Sequence, residues 1–99
     1  MNPISSDDHG WRFVTNHAHV LECIYAEPTW RLRDIADQVG MTERAVAGIV
    51  ADLEAAGYLT KIRDGRRNRY EVHAGLRLRH PRLRHRTVED LLRFLHERE

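Results

Sequence analysis

The order of apolar and polar positions predicts a first helix after the ten N-terminal residues. Asn16 has a side chain suited to cap this helix, and Pro28 ends it by Ala26 or Glu27. Beyond the proline, residues 30–32 form a candidate short strand. Four positions of the helix fall at i, i+3, i+4 and i+7, the spacing of one helical face: His17, Val20, Leu21 and Ile24.

Two further helices follow in close succession. The first spans 34–39, and Gly40 ends it because a glycine tolerates the left-handed conformation just past a helix. The second begins at a Thr42 cap and ends at Gly57. Their apolar faces comprise Ile35, Ala36 and Val39 in the first helix and Val46, Ile49, Val50 and Leu53 in the second.

A hairpin and a basic segment are predicted next. Strands over 58–63 and 68–73 flank a joint that contains the Asp64-Gly65 pair, which tight hairpins favour. Residues 76–86 follow as an extended basic stretch that Pro81 interrupts. The chain therefore alternates from helices to a hairpin and back to one last helix.

The two short helices meet across a turn with a specific set of small and apolar positions. Ala36 is small enough for the helices to approach closely, Gly40 lies at the turn, and the hairpin follows directly after Gly57. The full spacing comprises Ile35, Ala36, Val39, Gly40, Val46 and Ile49. With these features, the segment 16–73 resembles winged helix-turn-helix transcription regulators of the general MarR and ArsR kind.

This resemblance implies both a fold class and a function. The fold would be mainly α with a small β-hairpin, a winged helix-turn-helix with a C-terminal dimerisation helix. Helix 42–56 would enter the major groove of double-stranded DNA, and the hairpin would be the wing, on the backbone or in the minor groove. The expected organisation is a flexible tail at 1–10, a DNA-binding domain at 11–75, and a basic extension with the last helix at 76–99.

The distribution of charge agrees with this hypothesis, although the net charge is only +1. Residues 1–60 carry four Arg against nine acidic residues, a net charge of −5. Residues 61–86 carry ten cations against two acidic residues, a net charge of +8, and residues 87–99 carry −2. Such basic blocks usually face a polyanion. Five arginines beyond the hairpin could track phosphates or pair with the acidic half of a partner subunit: Arg77, Arg79, Arg82, Arg84 and Arg86.

Candidate DNA contacts come from the third helix and the wing. The small residues Ala47 and Gly48 permit a close approach of the helix backbone to DNA. Arg44 is suited to bind guanine through two hydrogen bonds, and Thr42 can place the helix N-terminus near a phosphate. The complete candidate set is Arg33, Thr42, Glu43, Arg44, Ala47, Gly48, Arg63, Arg66, Arg67, Asn68 and Arg69.

The last helix favours a homodimer. It begins at Thr87, which forms a capping-box pattern with Asp90. Its apolar face is too large to lie alone on a monomer surface, so a second copy is expected to cover it; the alternative is a monomer that packs this helix onto its own core. The expected interface comprises Trp11, Phe13, Val88, Leu91, Leu92, Phe94 and Leu95.

Two other functions fit parts of the sequence. A winged-helix module could bind an acidic protein without binding DNA. His19 and Cys23, four residues apart on a helix, could share a metal ion in a metal-responsive repressor. The two-cysteine patterns of thiolate sensors are absent, however, so we expect a structural Cys23, no metal ligands and no cofactor.

Length and composition exclude several classes of protein. A chain of 99 residues accommodates one core but no large enzyme fold, and no catalytic motif is present, so we expect no enzymatic activity. No stretch approaches the roughly 18 apolar residues of a membrane helix. A single cysteine and a polar N-terminus without the apolar block of a signal peptide predict a reducing, cytoplasmic location at the nucleoid.

Overall fold

Four α-helices and one antiparallel hairpin make up residues 12–97, the part of the chain that this computed structural model describes. The predicted tail at 1–10 and Trp11 lie outside these residues. The helices are α1 (Asn16–Ala26), α2 (Leu32–Val39), α3 (Glu43–Ala55) and α4 (Val88–His96). The strands are β1 (Leu59–Asp64) and β2 (Arg67–Val72), and a short 3-10 helix covers Pro81–Leu83.

One core unites all four helices and the hairpin. Helix α1 packs against α2, α3, α4 and β2. Its Val20 is completely buried, as are Val46 of α3 and Leu92 of α4. Leu59 and Tyr70 attach the hairpin to the same core. Every residue predicted for the buried stripe of α3 is buried, so the helical spacing of that stripe is confirmed.

Thr15, not Asn16, caps α1. The Thr15 hydroxyl accepts a hydrogen bond from the Ala18 N–H at 3.2 Å, and Asn16 is the first helical residue. Asn16 instead accepts a hydrogen bond from Arg12 at 3.0 Å. The predicted Asn16 cap is therefore wrong by one position, because two adjacent side chains can both cap and only the backbone geometry selects between them. The end of the helix at Ala26 is confirmed.

The predicted strand over 30–32 is wrong. Leu32 already belongs to α2, since the Asp34 carboxylate accepts a hydrogen bond from the Arg31 N–H at 3.0 Å and stabilises an earlier first turn. The preceding residues nevertheless contact the hairpin. The Tyr70 N–H donates to the Pro28 carbonyl at 3.3 Å.

The turn between α2 and α3 forms as predicted. Gly40 ends α2 with a φ of 79°, in the left-handed region that favours glycine. The N–H groups of Gly40 and Met41 both donate to the Ala36 carbonyl, at 2.8 and 2.9 Å. The Thr42 hydroxyl then caps α3 by accepting from the Ala45 N–H at 3.0 Å. These contacts fix the angle at which α3 leaves α2.

The hairpin has a two-residue turn at Gly65 and Arg66. Asp64 lies opposite Arg67 in the register, so each strand is shifted by one residue from its predicted bounds. Gly65 has a φ of 65°, and no non-glycine residue among those described has a positive φ. A positive φ at only the first central residue is the pattern of a type II′ turn, which matches the twist of the paired strands.

The basic segment 76–86 is a closed loop, so its prediction as an extended stretch is wrong. The Leu78 N–H donates to the Arg86 carbonyl at 2.9 Å, and the Val88 N–H donates to the Leu76 carbonyl at 2.7 Å. Pro81 begins the 3-10 helix because its fixed φ suits a first helical position. The local sequence does not indicate that the two ends of this segment meet.

Helix α4 begins with the predicted capping box. The Thr87 hydroxyl accepts from the Asp90 N–H at 3.2 Å, and the Asp90 carboxylate accepts from the Thr87 N–H at 2.9 Å. The hydrogen bond from the Thr87 backbone is the main cause that lowers the pKa of Asp90 below its usual value. The helix is also tied to α1, because the Tyr25 hydroxyl donates to Glu89 at 2.8 Å.

We expect Leu92→Ala to destabilise the whole chain and Phe94→Ala to change its stability little. Leu92 is completely buried, whereas the Phe94 side chain is 73% exposed. The buried cavity in the first variant should lower the free energy of unfolding by about 3 kcal/mol. Urea unfolding of both variants measures the difference. Equal losses would contradict a core that includes α4.

The Asp90 capping box should make stability depend on acid pH. The folded pKa of Asp90 is depressed, so its stabilisation is present above the unfolded pKa and is lost as pH falls through the folded value. Asp90→Asn should therefore show a smaller loss of thermal stability below about pH 4 than the wild type does. Glu97→Gln, beyond the last turn of α4, is the control and should retain the wild-type pH profile.

Candidate nucleic-acid interface

Helix α3 presents one buried face and one exposed face. The buried face points into the core. On the other face, the five side chains predicted to contact DNA all lie exposed, and Thr42 occupies the N-cap position. These residues are Thr42, Glu43, Arg44, Ala47 and Gly48. The local structure therefore brings the candidate residues of α3 together on one accessible surface around the helix N-terminus.

Within residues 12–97, no contact accounts for the glycine on this face. A Cβ atom added at Gly48 would meet no atom within 4 Å. Glycine in a helix interior costs roughly 1 kcal/mol relative to alanine, so Gly48 weakens α3 without relieving any internal clash. The absence of side-chain bulk here leaves the backbone of α3 open to a close approach from outside.

The arginines of the wing differ in exposure and in hydrogen bonding. Arg66 lies at the turn, is exposed, and has no hydrogen-bond or ion-pair partner among residues 12–97. Arg63 is exposed but donates to the Gly65 carbonyl at 3.2 Å. Asn68 is exposed opposite Arg63, whereas Arg69 on β2 is half-buried. Arg66 is thus the guanidinium of the turn that is most available to an external anion.

Arg67 belongs to a strand, whereas the predicted strands, 58–63 and 68–73, left it in the joint between them. It lies in β2, and its Nη2 donates to the Thr29 carbonyl at 2.8 Å. This bond ties the wing to the segment that leads into α2. Arg67 therefore holds the wing in position. The same bond restricts the orientation of its exposed guanidinium group, including the N–H groups that do not take part in it.

A shallow cleft of about 250 Å³ separates the wing from the N-terminus of α2. Its walls carry three guanidinium groups above apolar and aromatic side chains. Arg31 is not among the residues predicted to contact DNA, because the local sequence of 30–32 does not indicate that it lies beside the wing. Arg33, on the same helix, is exposed but does not line the cleft. The lining residues are Trp30, Arg31, Leu32, Arg66, Arg67, Asn68 and Tyr70.

Tyr70 forms the buried part of this cleft. Its side chain belongs to the core, and burial raises the pKa of its phenol, with a smaller contribution from the charge of Glu54. The hydroxyl consequently stays protonated and uncharged. The cleft thus combines three positively charged side chains with an uncharged tyrosine.

The apolar face predicted for dimerisation divides into two sets. Val88 and Leu92 are buried in this chain's own core, which is the position that the alternative of a monomer predicts for them. Phe94 is 73% and Phe13 is 93% exposed, and Leu91 and Leu95 are half-buried. Trp11 lies outside the described residues. Phe94 is therefore the main apolar side chain that α4 presents to solvent.

Cys23 lies in the core, away from any set of metal ligands. Burial raises the pKa of its thiol, and the nearby charge of Glu22 adds to the effect, so the thiol is uncharged and poorly reactive. Within residues 12–97, no three His, Cys, Asp or Glu side chains come together as a possible metal site. The same residues include no helix long and apolar enough to cross a membrane.

Comparisons with known proteins agree with this geometry. The model of the MarR family matches residues 15–68, more than half of the chain. Among solved structures, the fold is similar to that of the PcaV transcriptional regulator from Streptomyces coelicolor in complex with its natural ligand, with a TM-score of 0.52 and 31% sequence identity. No sequence among the curated proteins matches the chain.

The similarity to PcaV covers 60% of this chain and 44% of that chain, so it spans less than half of the larger regulator. The residues that the family model matches contain α1, α2, α3, β1 and the start of β2, whereas α4 lies beyond them. The fold class predicted from the sequence, mainly α with a small hairpin, is confirmed. This chain belongs to the MarR family and has the winged-helix fold of its transcription regulators.

Proposed function

We propose that this chain binds double-stranded DNA as a transcription regulator, with α3 in the major groove. The observation that carries the proposal is the outward face of α3, where Ala47 is exposed and Gly48 has no atom within 4 Å of an added Cβ, on the same exposed face as Arg44. Major-groove recognition needs a helix whose backbone can approach the bases and a side chain that can reach them. Family membership supports the same function.

The hairpin would act as the wing. Arg66 lies at the turn without a hydrogen-bond or ion-pair partner among the described residues, and it is suited to a phosphate or to a narrow minor groove, where the negative potential is high. The cleft beside it would add Arg31 to the predicted contacts, since a phosphate in that cleft would lie near three guanidinium groups. Helix α3 would then specify the sequence while these groups position the protein on the backbone.

A homodimer would complete the binding unit. Members of such regulator families read two half-sites about one helical turn apart, which a single winged helix cannot span. The exposed side chains of Phe13 and Phe94, with the half-buried Leu91 and Leu95, supply an apolar surface for a second copy. We further propose that the protein acts in the cytoplasm, where it meets the nucleoid.

Arg44 and Arg66 should affect DNA binding in different ways. Arg44→Ala should cost about 1–3 kcal/mol at the preferred sequence and relax the preference at one base pair. Arg66→Ala should weaken binding to all sequences. It should also reduce the slope of the log binding constant against log salt concentration by about one, the value for one lost phosphate contact. Selection from a random duplex pool, followed by titrations at several salt concentrations, measures both effects.

Arg93→Ala on α4 is the control for these variants, since it removes an exposed charge away from α3 and the wing. It should bind like the wild type. Absence of any duplex binding by the wild type at low salt would contradict the proposal and favour an acidic protein as the partner.

The oligomeric state should depend on Phe94. Phe94→Asp should shift the protein from a dimer to a monomer, because a charge in an apolar interface loses its hydration. Leu83→Asp, which also changes an exposed apolar residue, should remain dimeric. Sedimentation at micromolar concentration distinguishes the two. A monomeric wild type would rule out the dimer.

A further inference from the structure

A second concentration of positive charge lies between the hairpin and α4. Residues 76–86, hereafter the basic loop, contain no acidic residue, and residues 79–86 are all exposed. Uncompensated charges of one sign repel each other and destabilise a compact chain. The charge of Arg86 lies near Asp90 and helps to lower the pKa of that carboxyl, whereas no acidic side chain among the described residues pairs with Arg82 or Arg84, so an anionic partner would relieve their repulsion. Its cationic and titratable side chains are Arg77, Arg79, His80, Arg82, Arg84, His85 and Arg86.

Two of the five guanidinium groups hold the loop in place. Arg79 donates to the carbonyl of Ala56, and its guanidinium carbon lies 4.4 Å from the centroid of the Tyr58 ring. Arg77 donates to the Arg84 carbonyl at 3.2 Å. The side chains of Arg82 and Arg84 have no hydrogen-bond or ion-pair partner in the described part of the chain. Arg77 and Arg79 thus anchor the loop, whereas the guanidinium groups of Arg82 and Arg84 are available to an external anion.

The backbone that carries the free arginines is fixed. The Leu83 N–H donates to the His80 carbonyl at 2.8 Å, and the Arg86 N–H donates to the Leu83 carbonyl at 2.9 Å. The His80 ring nitrogen Nδ1 also accepts from the Arg82 N–H at 3.1 Å. A partner that binds here does not need to order the loop, so little backbone entropy is lost on binding.

The basic loop is anchored far from the proposed DNA-binding face. Arg79 contacts Ala56, the C-cap of α3, while Thr42 caps the other end of this helix. Thr42 and Ala56 are fourteen residues apart, so a rise of 1.5 Å per residue separates those ends by about 21 Å. The same anchor lies at the start of β1, and the turn of the wing lies about 17 Å away along the strand. One chain therefore carries two positive surfaces at opposite ends of the same elements.

The chemistry of the loop fits a phosphodiester backbone better than a protein. Specific protein interfaces need an apolar, usually aromatic, centre. The basic loop has no Phe, Tyr or Trp, and its exposed apolar side chains are two separate leucines, Leu76 at its start (40% exposed) and Leu83 at its tip (46% exposed). A nucleic-acid backbone is a regular row of anions that charged side chains bind without an apolar centre.

We propose that the basic loop binds the phosphate backbone of a second DNA duplex, so that one chain holds two duplex segments together. The inference rests on the proposed function for the first duplex, which α3 and the wing bind. The second duplex is held without sequence preference, because the free groups of the loop are guanidinium groups directed at phosphates.

Capture of a second duplex tests this proposal. A duplex of about 20 base pairs, two helical turns, is immobilised and saturated with protein, and binding of a fluorescent duplex of unrelated sequence is measured. The loop variant is Arg82→Ser/Arg84→Ser. The control Lys61→Ser/Arg93→Ser removes the same charge from exposed positions outside the loop. Thermal unfolding of the loop variant should match that of the wild type, since Arg82 and Arg84 have no hydrogen-bond or ion-pair partner among the described residues.

We expect the affinity of the loop variant for the immobilised duplex to stay within about twofold of that of the wild type. The amount of second duplex that it captures should fall at least fivefold, because two phosphate contacts are lost. The control should capture it normally. Capture by the loop variant equal to that of the control would overturn the proposal. So would a loss of first-duplex binding as large as that of Arg66→Ala, because the loop would then belong to one continuous interface.

An Arg44→Ala/Arg66→Ala variant, with the protein itself tethered to the surface, distinguishes failure of this proposal from failure of the proposed function. If this variant still binds random duplex and the loop substitutions abolish that binding, the loop is a nucleic-acid surface regardless of what α3 does. If the tethered wild type binds a poly-glutamate peptide through the loop but no second duplex, the proposal is overturned, and an acidic protein is the partner.

Discussion

Burial of helix α1 is the interaction on which the other elements depend. Helix α1 packs against the three other helices and against β2, so it is the common centre of a chain too short for a second core. Val20 and Ile24 are almost completely removed from solvent. Because α1 takes up the inner faces of α2 and α3, the outer face of α3 has no internal partner and stays accessible.

This arrangement accounts for the rigidity of the proposed DNA-binding surface. The bonds from Gly40 and Met41 to the Ala36 carbonyl set the direction of α3, and the bond from Arg67 to Thr29 sets the direction of the wing. Both sets of contacts use the main chain. A functional surface supported in this way needs few side chains of its own, which agrees with the small residues on α3.

The separation of charge along the chain has a structural counterpart. The acidic first half supplies most of the core helices, whereas the arginines divide between the wing turn and the basic loop at the other end of the hairpin. In both places some guanidinium groups bind carbonyl oxygens of the chain and others remain free. The near-neutral net charge therefore conceals two distinct positive surfaces and not one continuous block.

Elements whose signals are local could be predicted from the order of the amino acids. The apolar period of α3, the left-handed Gly40 and the capping box of Thr87 and Asp90 each depend on residues within one turn, so all were predictable. Tertiary structure decided what depends on distant partners. It closed segment 76–86 into a loop, buried Leu92 in the chain's own core and bonded Arg67 to Thr29. No local pattern encodes these outcomes, because each joins groups that lie far apart along the chain or meet only after the core has formed.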